Sequence, residues 1–496
     1  MSILRKVVFY IFVVIYIIGC PIIILNSLGV VFFPNQEKLI QSTGLISLAT
    51  IPNGAVVSIN SSLYREKTPL IIRNLPEGEY SIQITLDNYV PWKKRVHVAK
   101  RKVTNLENVI LIPKEWPKNP LSLQSWERLV AVHNNPYIIL RNGKTGGGIS
   151  FFRIEDPLLF NVKDSIAAAK KEAVQPLFSQ DSKYNSLQVS SIIMMPKSHF
   201  VLLRGKDDVK RHDLWIDLRS PMDSIRDISD LLISAPDFIL WHSEDNENIF
   251  YAENNNISRI NIEEHAVYPD IVNNVKSLGI FNKKFYIVDG ANQFQEVNYI
   301  NNTKRTLMGE WFEMPEVFKK FTRLEMRIVS EKLILFMDDT GCLLSTRLPY
   351  ELVPSGVTGI GGVLDGAKVL VWTKTLLGVI DFGELKREGI FEAGPKITWV
   401  VKNAKNIQEA FWVNNGSHIL FRDIEKIKLA EIDYDTPAST ANFKIGEIKG
   451  ETAYSDSLGK VFFIDKDTDK LMSLTVVPEH GLIQFVFPDS IERKKH

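Results

Sequence analysis

Residues 46–98 decide the fold of the first part of the chain, and they read ISLATIPNGAVVSINSSLYREKTPLIIRNLPEGEYSIQITLDNYVPWKKRVHV. From Tyr80 to Leu86, apolar and polar residues alternate, and this period of two predicts a strand with one buried and one solvent-exposed face. Pro52–Gly54 and Pro76–Gly78 have turn chemistry, because Pro fixes φ and Gly adopts positive φ. The stretch therefore predicts a small all-β unit.

These residues resemble the PEGA domain, a β-sandwich-like module of bacterial and archaeal surface proteins. The predicted domain spans 44–113, and the resemblance rests on Pro52, Gly54, Ala55, Thr68–Leu70, Pro76–Tyr80, Tyr89, Pro91 and Trp92. Two positions depart from the family, since Asn88 stands where Gly is usual and the loop at Ser61–Lys67 lacks its usual Gly. The resemblance implies a cell-envelope location and a binding or spacing role, and it brings no catalytic residues.

An apolar run precedes this unit. No charged residue lies between Lys6 and Glu37, and a membrane span takes about 20 apolar residues. We therefore predict a transmembrane helix at 7–28, followed by a linker at 29–43. Arg5 and Lys6 predict a cytoplasmic N-terminus at 1–6, which puts the bulk of the chain outside the cytoplasm.

Two other interpretations of this run stay open. Ile17–Cys20 resembles a bacterial lipoprotein signal, in which Cys20 is lipidated after cleavage, although the apolar Pro21–Leu25 follows where a polar tether is usual. A simple cleaved signal peptide is the third possibility. All three predict an extracytoplasmic chain, and the uncleaved anchor predicts the cell membrane as its location.

The composition is that of ordinary globular protein, with 496 residues, 45% hydrophobic and 24% charged residues. A net charge of +1 argues against a dedicated nucleic-acid binder. Because Cys20 and Cys342 are the two cysteines, and Cys20 lies in the apolar run, the exterior part is expected to rely on its core rather than on disulfides.

From about residue 120, short apolar segments recur between polar turns. Most steps between them are close to the roughly 40–50 residues of a four-stranded propeller blade. The segments are Ile138–Leu140, Phe200–Leu203, Ile249–Tyr251, Phe285–Val288, Leu333–Phe336, Val369–Trp372, Ile419–Phe421 and Val461–Ile464.

These eight segments predict a β-propeller of seven or eight blades at 118–490, with a helical insertion near 162–174 and a basic tail at 491–496. Stacked blades bury both faces of each sheet, which a single blade cannot do. A stack of β-sandwich domains is the alternative. The segment from Ile407 to Trp412 resembles blades of the Tol-system periplasmic propeller. The whole chain resembles membrane-anchored envelope proteins with a PEGA module and a degenerate propeller.

The sequence contains only weak matches to motifs of catalytic, cofactor-binding or metal-binding sites. Asp465, Asp467 and Asp469 have the spacing of a calcium loop, but the glycine and glutamate that complete it are missing, so a hairpin turn is favoured. Gly146–Gly148 and Gly359–Gly362 lack the context of a phosphate or dinucleotide site. The nine histidines, His242 near Glu244 included, lack zinc-ligand spacing. We predict no catalytic, cofactor-binding or metal-binding residue.

Two further sets of residues have both a structural and a binding interpretation. Lys93–Arg95 and Lys100–Lys102 form a basic cluster that either contacts anionic lipid or wall polymer or is a solvated face. Tryptophans along the repeat either pack between blades, which we favour, or bind sugar from one mouth of the ring: Trp116, Trp126, Trp215, Trp241, Trp311, Trp372, Trp399 and Trp412.

We therefore expect a non-catalytic, membrane-anchored envelope protein whose propeller binds an envelope protein, a surface glycan or a cell-wall polymer. An architectural component of the wall or surface layer is the first alternative and predicts no deep pocket. A glycan-acting enzyme is the second, and it needs two buried acids of raised pKa facing one cavity. The sequence does not indicate the oligomeric state.

Overall fold

The computed structural model describes residues 3–27, 30–32, 40–132, 135–154, 174–232, 236, 238–241, 247–281, 284–298, 303–306, 324–330, 333–346, 350–383, 395–432 and 442–477. The chain divides into two compact units, with the boundary between Trp116 and Pro117. The first unit contains a helix and two small sheets, and the second is built from antiparallel strands.

The helix, α1, spans Ile3–Ser27 and contains Pro21. Among the residues that the structure describes, no helix is both long and apolar enough to cross a membrane, which takes about 20 apolar residues. The transmembrane helix predicted at 7–28, and the fold class that included it, were therefore wrong. The membrane partner and the cytoplasmic N-terminus at 1–6 stay predictions, which nothing in the structure tests.

Two four-stranded sheets of the first unit pack as a sandwich. Their inner faces share one apolar core, which includes Ile46 and Leu70 from one sheet and Val57 and Ile82 from the other. The first sheet contains β1 (Val30–Phe32), β2 (Ile40–Ile51), β5 (Leu70–Pro76) and β8 (Val103–Ile110), and the second contains β3 (Val56–Ile59), β4 (Ser62–Lys67), β6 (Gly78–Thr85) and β7 (Trp92–Val98).

The local sequence explains this sandwich. In β6, Ile82 and Ile84 are fully buried while Ser81 is exposed, which is the alternation that the sequence predicts. Gly54 has a φ of +88° and Asn88 a φ of +67°, so both turns use the left-handed region that these residue types adopt most readily.

In the described residues, the second unit contains six four-stranded antiparallel sheets, here called blades 1 to 6, and one seven-stranded sheet that comprises blades 7 and 8. Blades 7 and 8 form one seven-stranded sheet, because the long β37 is the fourth strand of blade 7 and the first strand of blade 8. The first three blades are β10 (Arg128–Val130), β11 (Tyr137–Arg141), β12 (Ile149–Arg153) and β13 (Val174–Pro176); β14 (Gln188–Met194), β15 (Phe200–Lys206), β16 (Arg211–Asp217) and β17 (Arg226–Asp227); β18 (Phe238–Leu240), β19 (Asn248–Glu253), β20 (Asn256–Asn261) and β21 (Ala266–Val272).

The remaining blades follow the same order. They are β22 (Val275–Phe281), β23 (Lys284–Asp289), β24 (Phe294–Asn298) and β25 (Thr303–Thr306); β26 (Glu325–Ser330), β27 (Leu333–Met337), β28 (Leu343–Ser345) and β29 (Glu351–Val353); β30 (Val357–Leu364), β31 (Lys368–Thr373), β32 (Leu377–Asp381) and β33 (Lys396–Val401); β34 (Ile407–Val413), β35 (His418–Asp423), β36 (Lys426–Glu431) and β37 (Asn442–Ser455); and β37 with β38 (Lys460–Asp465), β39 (Lys470–Thr475) and β9 (Lys118–Ser125).

Contacts between the blades close a ring. Each of blades 1 to 6 shares an apolar core with the blade that follows it in the sequence. Blade 8 shares a core with blade 1, in which Phe462 and Ile464 pack with Leu129 and Ile138. Blade 8 is itself completed by β9, which enters from the N-terminal side and pairs with β39. The second unit is thus a closed β-propeller of eight described blades.

All eight apolar segments of the sequence lie in the second strand of a blade. Such a strand has a neighbouring strand on each side and another blade against each face, so its residues are buried on both faces and form a continuous apolar run. The predicted helical insertion lies outside the described residues up to residue 173, and Val174 begins β13. The predicted basic tail also lies outside the described residues.

Candidate functional site

A cleft of about 560 Å³ crosses blades 3 to 6. It is lined at the starts of the first strands β22, β26 and β30, and at the turns between the second and third strands of blades 3 and 5. In an antiparallel four-stranded blade these places lie at the same end, so the cleft opens at one end of the ring. Its volume is within the range of about 300–1,000 Å³ that is typical of ligand sites.

The cleft is lined by both apolar and polar residues. The apolar lining residues are Leu240, Ala252, Ile257, Val275, Leu278, Leu324, Met326, Met337 and Val357, and none of them is aromatic. The polar lining residues are Asn255, Lys276, Ser277, Glu325, Asp338, Asp339 and Thr358.

Ser277 is the most unusual of these residues. Its side chain lines the cleft and is only 4% exposed, yet its hydroxyl has no hydrogen-bond partner. A buried polar group without a partner costs about 1–3 kcal/mol. The neighbouring Lys276 donates from Nζ to Oδ1 of Asn292 over 2.8 Å. The Ser277 hydroxyl is therefore a buried polar group beside the cleft rather than part of its open surface.

The carboxylates of the cleft differ in their surroundings. Asp338 is buried and its Oδ1 accepts from the backbone N–H of Cys342 over 2.7 Å and from Thr340, so it stabilises the turn between β27 and β28. Glu325 and Asp339 are exposed, and the described residues offer neither of them an ion-pair partner. These two carboxylates are thus available to a ligand.

Among the described residues, the carboxyl groups whose pKa is raised lie elsewhere. Burial raises the pKa of Glu409, whose Oε1 accepts from Nε of Arg422 over 2.7 Å and from Thr452. Partial desolvation raises the pKa of Asp456, whose carboxyl is hydrogen-bonded to Tyr454 although the residue is exposed. Neither carboxyl group lines the cleft. Sequence reasoning identified neither these acids nor Ser277, because nothing in the local sequence distinguishes them.

The three aspartates with calcium-loop spacing follow β38 and form the hairpin turn that the sequence favours. Asp465 accepts from Nζ of Lys118 over 2.5 Å, and Asp469 pairs with Lys449 over 3.0 Å. Both carboxylates therefore stabilise blade 8. Within the part of the chain that the structure describes, no group of three or more acidic, His or Cys side chains is placed to hold a metal ion.

The glycine-rich segments are structural. Gly146–Gly148 form a short 3-10 turn. Gly359 lies within β30, where an added Cβ atom would come within 2.3 Å of the Trp372 ring. Because glycine has no side chain, the ring can pack directly against the backbone of β30. The predicted His242 lies outside the described residues.

Most of the tryptophans pack inside the ring. The buried ones are Trp126, Trp215, Trp241, Trp372 and Trp412. Trp116 and Trp399 are half-buried, and Trp311 lies outside the described residues. The structural interpretation therefore holds for the buried five, and no described tryptophan lines the cleft.

A polar cluster in blade 2 surrounds His212. The imidazole Nδ1 lies 2.6 Å from Oδ2 of Asp227, and Nε2 lies 2.9 Å from Oδ2 of Asp207. Hydrogen bonds from the backbone N–H of Lys210, from His212 and from the N–H of Val209 lower the pKa of Asp207 to about 2. The native state therefore favours the ionised form of Asp207.

This lowered pKa predicts a loss of stability in acid. The contribution of Asp207 is complete above its ordinary pKa of 3.8 and is lost as the pH falls toward about 2, because the folded protein then binds the proton less readily than the unfolded chain. The midpoint of urea unfolding, followed by circular dichroism, should fall from pH 5 to pH 2, and it should fall less steeply in Asp207→Asn. Parallel curves for the two proteins would contradict this assignment.

Comparison with known families identifies the sandwich of the first unit. The PEGA domain family matches residues 43–111. These residues form a PEGA domain. This confirms the resemblance on which the sequence analysis relied, and the match covers the sandwich alone. No curated protein matches the chain.

Solved structures similar to this chain are β-propeller proteins. PorZ, a bacterial surface component of the type-IX secretion system of Porphyromonas gingivalis, is 12% identical with a TM-score of 0.37, and the match covers 70% of this chain and 42% of PorZ. The WD40 propeller domain of Doa1 is 9% identical with a TM-score of 0.34, and the match covers 72% of this chain and 96% of the Doa1 chain. Sequence identities and TM-scores this low indicate the kind of fold and support no inference about partners or activity.

The basic cluster lies on and beside β7 of the PEGA domain. Lys93 and Arg95 are exposed on one face of the strand, and Lys94 points to the other and is half-buried. Lys100 pairs with Glu77 over 2.8 Å. The charges are thus divided between faces and partly paired, which favours the solvated-face interpretation over a single contact surface.

Proposed function

We propose that the chain is a non-catalytic binding protein that holds a partner protein in the cleft of blades 3 to 6. The observation that carries this proposal is the cleft itself, a cavity of about 560 Å³ at one end of the ring whose lining combines aliphatic side chains with the exposed polar side chains of Asn255, Glu325 and Asp339. Among the described residues, the carboxyl groups with a raised pKa are Glu409 and Asp456. Both lie outside the cleft, whereas a glycan-acting enzyme would need such acids at its cavity.

The lining of the cleft favours a protein over a glycan. Sugar rings bind on aromatic faces, and the described lining residues include no aromatic side chain. A lining that combines aliphatic and polar side chains is instead compatible with a protein interface. The PEGA domain supports a partner in the cell envelope, since that is the setting its family implies. A purely architectural protein would not need a deep cleft.

A steric block of the cleft tests this proposal. Thr358 is exposed at the rim, so Thr358→Trp should close the cleft while leaving the blades intact. Val209→Trp is the matched control, because Val209 is 89% exposed and lies outside the cleft. The immobilised full chain and both variants are incubated with solubilised envelope fractions, and retained proteins are identified by mass spectrometry.

We expect one envelope protein to be retained by the wild type and by Val209→Trp, and its retention to fall at least tenfold in Thr358→Trp. Protease treatment of the fraction beforehand should abolish the retention. Equal retention by all three proteins, or retention that survives protease treatment, would overturn the proposal.

A further inference from the structure

We infer that a second cavity of the propeller binds a small aliphatic carboxylate, whose charged group lies between Arg128 and Arg141. This site is separate from the cleft of blades 3 to 6 and does not depend on the function proposed for that cleft. Three observations carry the inference: two arginines directly opposite each other, a positive charge that no described carboxylate balances, and open aliphatic surface in a cavity of ligand size.

The cavity has a volume of about 370 Å³ and is lined by residues of blades 8, 1 and 2. Its described lining residues come from the first strands β37, β10 and β14, from the two residues after β10, and from the end of β11. The volume is within the range of about 300–1,000 Å³ that is typical of sites for small molecules. The cavity can therefore enclose a small ligand.

Two arginines of this lining are cross-strand neighbours. Arg128 of β10 and Arg141 of β11 are directly opposite each other in the antiparallel ladder. Side chains in such a pair extend from the same face of the sheet, with Cβ atoms about 4.5–5.5 Å apart, and like charges in this arrangement are destabilising. An anion bound between the two guanidinium groups would relieve their repulsion.

The described lining does not supply enough negative charge. Glu451 is its one carboxylate, with Oε1 3.3 Å from Nη2 of Arg128 and Oε2 accepting from the backbone N–H of Ala131 over 3.4 Å. Arg141 has no ion-pair partner among the described residues, and its Nη1 reaches only the carbonyl oxygen of Val189, at 3.5 Å. One positive charge is left over, which matches a carboxylate better than a phosphate group of about −1.5 to −2.

A ligand can reach both guanidinium groups. The Nε atom of Arg141 is buried and takes no part in the inference, but Nη2 is neither buried nor hydrogen-bonded within the described part of the chain. The Arg128 side chain is 53% exposed, so water weakens its pair with Glu451. Both arginines can therefore donate to one carboxylate, and such charge-assisted hydrogen bonds are among the strongest in proteins.

The rest of the lining suits an aliphatic chain. Val130, Val132, Ile192 and Ile193 line the cavity and are only partly buried, so some of their apolar surface is open. Covering apolar surface favours binding. A ligand with a carboxylate at one end and a short hydrocarbon chain matches both the charge and the apolar part of this lining.

Isothermal titration calorimetry of the full chain with octanoate tests the inference. Octylammonium, which has the same chain and the opposite charge, is the control ligand. We expect octanoate to bind at millimolar concentration and octylammonium not to bind. Arg141→Gln and Arg128→Gln should each weaken octanoate binding about tenfold. Arg226→Gln, which removes an exposed arginine of blade 2 outside the cavity, should leave the affinity unchanged.

Circular dichroism checks that each variant is folded, and Arg128→Gln keeps the test valid if Arg141→Gln is not, because Arg128 is exposed. Thr358→Trp, which closes the cleft, should not change octanoate binding. Absence of octanoate binding, equal binding of octylammonium, equal weakening in Arg226→Gln, or loss of binding in Thr358→Trp would each overturn the inference. None of these results concerns capture of an envelope protein, so the proposed function stands or fails separately.

Discussion

Replacing Trp215 with alanine is expected to lower the free energy of unfolding by about 3–5 kcal/mol, the usual range for truncating a buried large aromatic side chain. Trp215 is 2% exposed and stacks on Phe200, with ring centroids 4.9 Å apart. It also meets the edge of Trp241 from blade 3 at 4.8 Å. The substitution therefore leaves a cavity where two blades pack together.

Urea unfolding followed by far-ultraviolet circular dichroism measures this effect. Val209→Ala is the control, because the side chain is 89% exposed and its removal should change stability by no more than about 0.5 kcal/mol. A loss below about 1 kcal/mol in Trp215→Ala would show that blades 2 and 3 do not share this core.

Asp213→Ala is expected to lower the free energy of unfolding by about 1–3 kcal/mol, because it leaves two partly buried guanidinium groups without the carboxylate that pairs with both. Asp213 is fully buried on β16. Its Oδ1 accepts from Nε of Arg204 over 2.7 Å, and its Oδ2 lies 2.6 Å from Nη2 of Arg211. Both guanidinium groups lose this carboxylate in the variant.

The same unfolding measurement applies, with Asp208→Ala as the matched control. Asp208 lies in the same hairpin and is exposed, so its removal should be close to neutral. If Asp213→Ala were as stable as Asp208→Ala, water would screen the charges of this network, and the burial seen in the structure would not apply in solution.

The sequence predicts best what local chemistry determines. In the PEGA domain, the alternation around Ile82 and the turns at Gly54 and Asn88 are set by neighbouring residues, and the structure shows all three. In the propeller, the second strand of each blade is buried on both faces, so a run such as Phe200–Leu203 is visible without any knowledge of its partners.

What depends on distant contacts was not predictable. Closure of the ring uses β9, whose mostly exposed residues give no sign that Lys118 will pair with Asp465, far away in the sequence. The cleft brings together residues of four blades, and Ser277 is distinctive only because its surroundings bury it without a partner. The transmembrane helix predicted at 7–28 was wrong for a different reason: α1 forms at Ile3–Ser27, but an apolar run predicts a helix without determining that it crosses a membrane.

The most direct test of binding in the cleft is hydrogen exchange of the full chain, followed by mass spectrometry, with and without the captured envelope protein. We predict that the partner slows exchange at Val275–Leu278, Leu324–Met326 and Val357–Thr358, the segments that line the cleft. Slowed exchange confined to the PEGA domain, or to blades 1, 2, 7 and 8, would contradict the claim that the partner occupies this cleft.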